Sequence, residues 1–189
     1  MIKKCGWPQS ELMIAYHDTE WGTPVHDDCK LFEFLVLDAF QAGLSWSTIL
    51  KKRENFRRAF DNFDYLKITR YKQGKIDKLL ADVGIIRNKL KINATITNAI
   101  AFQAVQKEFG SFDKYIWGFV GGKPRVNKWK TVKQVMPRTV ESDAMSQDLK
   151  TRGFKFVGST ICYAFMQAAG LVNDHMVDCF RYEELKDAK

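Results

Sequence analysis

Apolar positions recur at helical spacing along almost the whole chain. Leu31, Phe32, Leu35, Val36 and Phe40 fall on one side of a helix that Asp27 or Asp28 can cap and Gly43 can end. Ser45 can cap a second helix, from Trp46 to about Phe60, which should expose Lys51, Lys52, Arg53, Arg57 and Arg58. Asp64 opens a shorter helical region, and Lys75 to Asp82 reads as another helix, broken at Gly84. Lys89 to Phe109 is the longest helical pattern, closed by Gly110. Ser111 can cap Phe112 to Val120, which Gly121 and Gly122 stop. Ser142 can cap a helix to about Arg152, and Gly158 to Ala169, followed by Gly170, is the last clear one. Positions 123–138, with Pro124 and Pro137, form the one loop of any length. No segment sustains period-2 alternation with β-branched residues, so the pattern predicts an all-α fold without a sheet.

The 189 residues are 46% hydrophobic and 13% aromatic, which suits a globular protein of one domain, or one domain with two lobes. No apolar run approaches the roughly 20 residues of a membrane helix. Met1 to Trp7 has no signal-peptide apolar region, so the chain is expected in the cytoplasm, away from membranes. The net charge of +8 points to nucleic acid or to a merely basic solvated surface. The four cysteines, at 5, 29, 162 and 179, are not expected to form disulfides in a reducing compartment. Cys29 and Cys162 sit in apolar helical patterns and read as core residues, and His26, before an acidic cap, as exposed.

Two cysteines and two histidines stand out. Cys5 and His17 lie near one end; His175 and Cys179 lie near the other, four apart, on one face of a helical turn. Together they make a Cys2His2 set suited to tetrahedral Zn2+, which would tie segments 1–25 and 170–189 together. The Cys-x11-His spacing is no standard finger, so spacing alone leaves buried, unligated cysteines open.

Two stretches read as helix, glycine turn, helix: Leu79 to Lys91 around Gly84, and Leu149 to Ile161 around Gly153 and Gly158. In the second, backbone N–H groups at the helix start, with Lys155 beside them, suit a phosphate. An ordinary helix connection with glycine caps would look the same.

The second stretch is similar to the helix-hairpin-helix of the endonuclease III-like DNA glycosylases, and the whole chain resembles the 3-methyladenine DNA glycosylase I family. The segments that carry the resemblance are Cys5-Gly6-Trp7, Ala15-Tyr16-His17-Asp18, Glu20-Trp21-Gly22, Gln41-Ala42-Gly43-Leu44-Ser45-Trp46 and Leu50-Lys51-Lys52-Arg53-Glu54. Arg152-Gly153-Phe154-Lys155-Phe156-Val157-Gly158 and Asn173-Asp174-His175 complete them. The resemblance implies a hydrolase that frees N3-methyladenine from double-stranded DNA after base flipping, as a monomer and without strand cleavage. It implies one structural zinc on Cys5, His17, His175 and Cys179, and a base pocket with Tyr16, Asp38 and Trp46. Trp7 and Trp21 match aromatics near the zinc and pocket. The family usually has Glu where this chain has Asp38, which withdraws the carboxylate by about 1.5 Å.

In that scheme Gly43 and Leu44 supply an apolar plug for the gap in the duplex, and Gly153, Lys155, Val157 and Gly158 grip phosphate. Without the family, Leu44, Tyr16 and Trp46 would read as core residues. Methylation at N3 makes the base cationic, so it leaves as a neutral molecule and needs no strong general acid; π-faces and one carboxylate attract it. The superfamily's strand-cutting members carry a lysine where this chain has Thr160. Where members acting on neutral bases carry a catalytic aspartate, Asn173 stands, with Asp174 beside it. Asp38 would then orient the base or water rather than attack the sugar. The rival from another class is a non-enzymatic zinc-stapled DNA-binding module, which would have no reason to line a cavity with Tyr16, Asp38 and Trp46.

Overall fold

The computed structural model describes residues 3–188. Its central element is α2 (Asp28–Gln41), where every residue from Leu31 to Phe40 is buried. A helix apolar on all sides belongs inside a protein. Helices α3 (Trp46–Ala59), α6 (Lys89–Phe109), α7 (Phe112–Trp117) and α9 (Ser159–Ala168) pack against it. Short helices α4 (Tyr65–Ile68) and α5 (Gln73–Ala81) lie against α6, and α8 (Val140–Thr151) lies against α9. The chain begins with α1 (Glu11–Thr19) against α3 and ends with α10 (Phe180–Leu185). Among the described residues no helix is long and apolar enough to cross a membrane.

The local signals act largely as their chemistry predicts. Asp27 accepts the N–H of Lys30, Ser45 that of Thr48, Asn88 that of Lys91 and Ser111 that of Lys114, each at a helix start. Asp28 does something else: its carboxylate takes the N–H groups of Phe112 and Asp113 at 3.0 and 2.8 Å and so starts α7 instead. The helix expected from Ser142 begins earlier. Thr139 is its cap and Ser142 is the third residue of a reciprocal capping box, so one hydroxyl pair satisfies two backbone donors.

Four expectations are corrected. A two-residue parallel ladder joins β1 (Arg125–Val126) to β2 (Val172–Asn173), too short to show alternation in sequence. Helices α1 and α10, not predicted from the apolar pattern, occupy the terminal segments. Cys29 is exposed, because it precedes the point where α2 enters the core. Arg53 is only 15% exposed and makes a bidentate pair with Glu20, both contacts 2.8 Å, pinning the end of α1 to α3. Cys162 is buried and His26 exposed, as expected.

The ladder belongs to a wider closure. Residues 123–138 lie along 171–177, with Asn127 N–H on the Asn173 carbonyl at 3.1 Å and Val177 N–H on the Trp129 carbonyl at 2.9 Å. Phe180 N–H reaches the Lys3 carbonyl at 3.0 Å, so the two terminal segments meet.

Candidate functional site

The residues expected at a base pocket converge. Trp7, Tyr16, Trp21, Asp38 and Trp46 line one cavity of about 230 Å³, with Met13, Gln41 and Gln167 among the others. The rings of Tyr16 and Trp46 lie 5.3 Å apart, tilted by 46°. Tyr16 comes from α1, Asp38 from the buried stretch of α2 and Trp46 from the first residue of α3. The volume is below the roughly 300–1,000 Å³ of drug-sized pockets and suits a single flat heterocycle.

Two carboxyl groups face this cavity in opposite circumstances. Asp38 is 2% exposed, and its Oδ2 has no hydrogen-bond partner among the described residues. Burial pushes its carboxyl well above the usual range, which favours the protonated form. Asp174 is 1% exposed and saturated: Oδ1 accepts from Asn127 Nδ2 and Trp129 Nε1 at 2.6 and 2.7 Å. Its Oδ2 accepts from Tyr163 Oη and Gln167 Nε2, both at 2.7 Å. Four donors on two oxygens leave little free lone-pair capacity, so Asp174 serves as a tie between the 123–138 loop and α9. Asn173 is spent within the C-terminal segment, bonding the Tyr182 carbonyl and the His175 N–H. Trp7 Nε1 and Trp46 Nε1 are further buried donors without a partner among the described residues. Tyr16 is held protonated by burial and by the nearby Asp38.

Behind Trp7 and Trp21 the four metal-type residues meet. Cys5, His17, His175 and Cys179 are buried, with ligand atoms within 4.8 Å of one another. Sulfur-to-nitrogen distances are 3.6, 3.6 and 3.7 Å, and the two nitrogens are 3.2 Å apart. Tetrahedral zinc with ordinary bond lengths calls for about 3.55 and about 3.35 Å. The nitrogens turned inward are His17 Nε2 and His175 Nδ1; His17 Nδ1 is bonded to Asp18 at 2.7 Å and His175 Nε2 to the Trp21 carbonyl at 2.9 Å. Outer partners of this kind leave the inward nitrogens free to coordinate. The bond from the Cys5 thiol holds Cys179 down and Cys5 up, since two buried thiolates repel; a cation between them would let both ionise. The donor set fits zinc. Trp21 meets His175 edge to face at 4.7 Å and Trp7 meets His17 edge to face at 5.3 Å, so the metal-type cluster is also the back wall of the cavity.

The plug and the hairpin lie outside the cavity. Leu44 is 41% exposed at the α2–α3 turn, after Gly43 with φ +80°, and is therefore no core leucine. The buried Lys91 of α6 donates from Nζ to the Phe40 and Ala42 carbonyls at 2.8 and 2.6 Å, closing the end of α2 beneath that turn. The same Nζ lies 5.9 Å from the ring of Phe156 in the α8–α9 connection. That connection begins with a Schellman end: Gly153 (φ +92°) bonds the Lys150 carbonyl and Phe154 the Leu149 carbonyl, each at 3.0 Å. Asn98 clamps the backbone of Lys155 on both sides, at 2.7 and 3.0 Å, beside Phe156 in the left-handed region at φ +56°. Gly158 precedes α9 without a side-chain cap. Lys155 is exposed, while the Val157 side chain is buried and its carbonyl accepts from Ser146 Oγ at 2.7 Å, leaving its backbone N–H for an outside contact. The other glycine turn is tied inward, the Gly84 carbonyl taking Lys52 and Asn55, both at 3.1 Å.

Sequence reasoning did not single out Gln41, Gln167, Met13 or the valines of the 123–138 loop as cavity walls. Val132 and Val135 line the cavity, and nothing in local periodicity announces a loop folding over a pocket.

A family model of methyladenine glycosylases matches residues 7–182. DNA-3-methyladenine glycosylase 1 of Escherichia coli (strain K12) is 49% identical over 182 residues, 96% of this chain and 97% of that one. A crystal structure of a 3-methyladenine DNA glycosylase I superposes with a TM-score of 0.92 at 49% identity, covering 94% of this chain and 98% of that chain. A tyrosine-to-phenylalanine variant of another, in complex with 3-methyladenine, superposes at 0.91 and is 33% identical, covering 94% and 96%.

Proposed function

The chain belongs to the methyladenine glycosylase family and is a DNA glycosylase, a hydrolase of the N-glycosidic bond, and from that premise we propose that it frees N3-methyladenine from alkylated duplex DNA by flipping the damaged nucleotide into the cavity of Tyr16, Asp38 and Trp46. The observation that carries this reading is the unpartnered, buried Oδ2 of Asp38 within an aromatic enclosure. A neutral purine gives such a carboxyl no reason to ionise. A purine made cationic by methylation does, and the charge pair then holds the base against Tyr16 and Trp46. The proton leaves to solvent.

The glycosidic bond breaks with its electron pair going to the base, which departs neutral, and water adds to the sugar carbon with loss of a proton. Asp38 stabilises positive charge and orients the base. Asp174, saturated by four donors, supports the wall and attacks nothing. Thr160, exposed on α9, cannot form a Schiff base, so the reaction stops without strand cleavage.

Leu44 fills the gap in the duplex. The α8–α9 connection acts as the helix-hairpin-helix grip, with Gly153, Lys155, the Val157 backbone and Gly158 toward phosphate. Cys5, His17, His175 and Cys179 hold one Zn2+; all four positions come from protein, so the ion is structural. Residues 1–189 work as one domain, a cytoplasmic monomer.

A DNA-binding module without activity has no use for a buried unpartnered acid. The test is incubation of the purified protein with alkylated duplex. Free 3-methyladenine should appear, and borohydride should trap no protein–DNA adduct. A robust adduct, or no base release, overturns the reading.

A further inference from the structure

We propose that the segment 123–138 is a second phosphate grip, one that holds the damaged strand at the cavity mouth only after the nucleotide has left the duplex. The inference rests on the base-flipping reading above and adds a surface to it.

Its first support is charge. The segment carries Lys123, Arg125, Lys128, Lys130, Lys133 and Arg138 and no Asp or Glu. Arg125 pairs with Glu141 and Arg138 with Asp143, whereas Lys123, Lys128, Lys130 and Lys133 are exposed and make no salt bridge among the described residues. Six basic residues and no acid within one segment concentrate positive charge along this stretch of surface.

Its second support is position. Val132, 44% exposed, and Val135 line the base cavity, and Lys130 and Lys133 flank Val132 along the chain. The phosphates on either side of an extruded nucleotide must pass the mouth that these residues edge.

Its third support is rigidity. A connection this long between helices is usually mobile or functional. This one is pinned beneath by Asn127 and Trp129 on the Asp174 carboxylate, at 2.6 and 2.7 Å. It is pinned at its tip by Gln134 Oε1, which accepts from the Lys130 and Thr131 N–H groups at 2.8 and 3.2 Å. On a held backbone only the lysine side chains lose freedom on binding, not the chain that carries them, which is how a preformed grip differs from a floppy basic tail.

The occupant is therefore the sugar–phosphate backbone adjoining the flipped nucleotide. Contacts made only in the flipped state add affinity for damaged DNA over intact DNA without reading sequence.

The experiment measures binding of the full chain to two duplexes across a salt series. One is undamaged; the other carries 3-methyladenine on a 2′-fluoro sugar, which resists hydrolysis. The Lys130→Gln, Lys133→Gln double variant should lower the slope of log affinity against log salt by about two on the damaged duplex. It should leave the undamaged duplex unchanged, and should leave quenching of tryptophan fluorescence by free 3-methyladenine as in wild type. Lys155→Gln should lower the slope on both duplexes. An unchanged slope on damaged DNA overturns the proposal. So does an equal loss on both duplexes, which would mark the lysines as general electrostatic attraction. A wild-type protein that does not prefer the damaged duplex overturns the underlying base-flipping reading instead.

Discussion

Asp38 and Asp174 line the same cavity as buried carboxyl groups, yet Asp174 accepts four hydrogen bonds while Asp38 Oδ2 accepts none among the described residues. Environments that differ this much divide labour between like groups, one a fixed structural acceptor and one an acid whose charge state is open to the ligand.

The first expectation concerns stability against pH. Burial raises the folded-state pKa of Asp38, so the folded protein keeps a proton that the unfolded chain gives up above about pH 4. Its contribution is fully present below that pH and is lost as pH rises through the folded pKa. Asp38→Asn removes the titration. Thermal melts from pH 4 to 8 should fall more steeply with pH in wild type than in Asp38→Asn; parallel curves would show that burial costs this acid nothing.

The same charge should select the substrate. Two charges about 4 Å apart gain on the order of 1 kcal/mol in water and several times that where water is partly excluded. Asp38→Asn should therefore slow single-turnover excision of 3-methyladenine by roughly tenfold to a hundredfold, with unchanged affinity for undamaged duplex. Asp38→Glu, which restores the family's usual residue, should retain activity. Wild-type rates in Asp38→Asn would mean that aromatic stacking alone selects the base.

Metal should matter to folding before it matters to chemistry. A cross-link between positions as distant as 5 and 179 is worth on the order of 5 kcal/mol in chain entropy alone. Freshly purified protein should contain one zinc per chain by elemental analysis. Chelation, or Cys179→Ser, should lower the melting temperature by roughly 10 °C or more. A protein free of stoichiometric metal with an unchanged melt would remove the staple.

Lys91 invites a different measurement. Its ammonium closes the carbonyl end of α2, directly before Gly43 and Leu44, so Lys91→Met leaves two carbonyls without that partner. Stability should drop by about 1–3 kcal/mol. Because the turn that carries Leu44 loses its anchor, excision from duplex should fall more than affinity for the free base. Equal losses in both would make Lys91 a general stability residue.

Features set by neighbours in the chain were legible without a structure. Asp27, Ser45 and Ser111 cap helices because their short side chains reach a donor three residues on, whatever else the fold does. The apolar positions of α2 marked one buried side, where the fold buries every residue from Leu31 to Phe40, and the resemblance named the cluster of Cys5, His17, His175 and Cys179 that the fold brings within 4.8 Å. The sequence by itself therefore determined most of the helices between the two terminal segments, and the residue types available for a metal and a cationic base.

Tertiary structure decided what those residues face. Asp38 lies one residue from Leu37 in an unbroken buried helix, and no local rule says whether its carboxyl meets a cation, a donor or nothing. Asp174 looks like any acid until Asn127, Trp129, Tyr163 and Gln167 arrive from two other segments to saturate it. Lys91 has the spacing of an exposed helical lysine, but α2 ends where its ammonium must go. The β1–β2 pair joins residues 47 apart through hydrogen bonds that leave no periodic trace in two-residue strands. Periodicity and capping are short-range and are written into adjacent residues; hydrogen-bond saturation, desolvation and the walls of a cavity are set by groups remote in the chain, and exist only once the helices have packed.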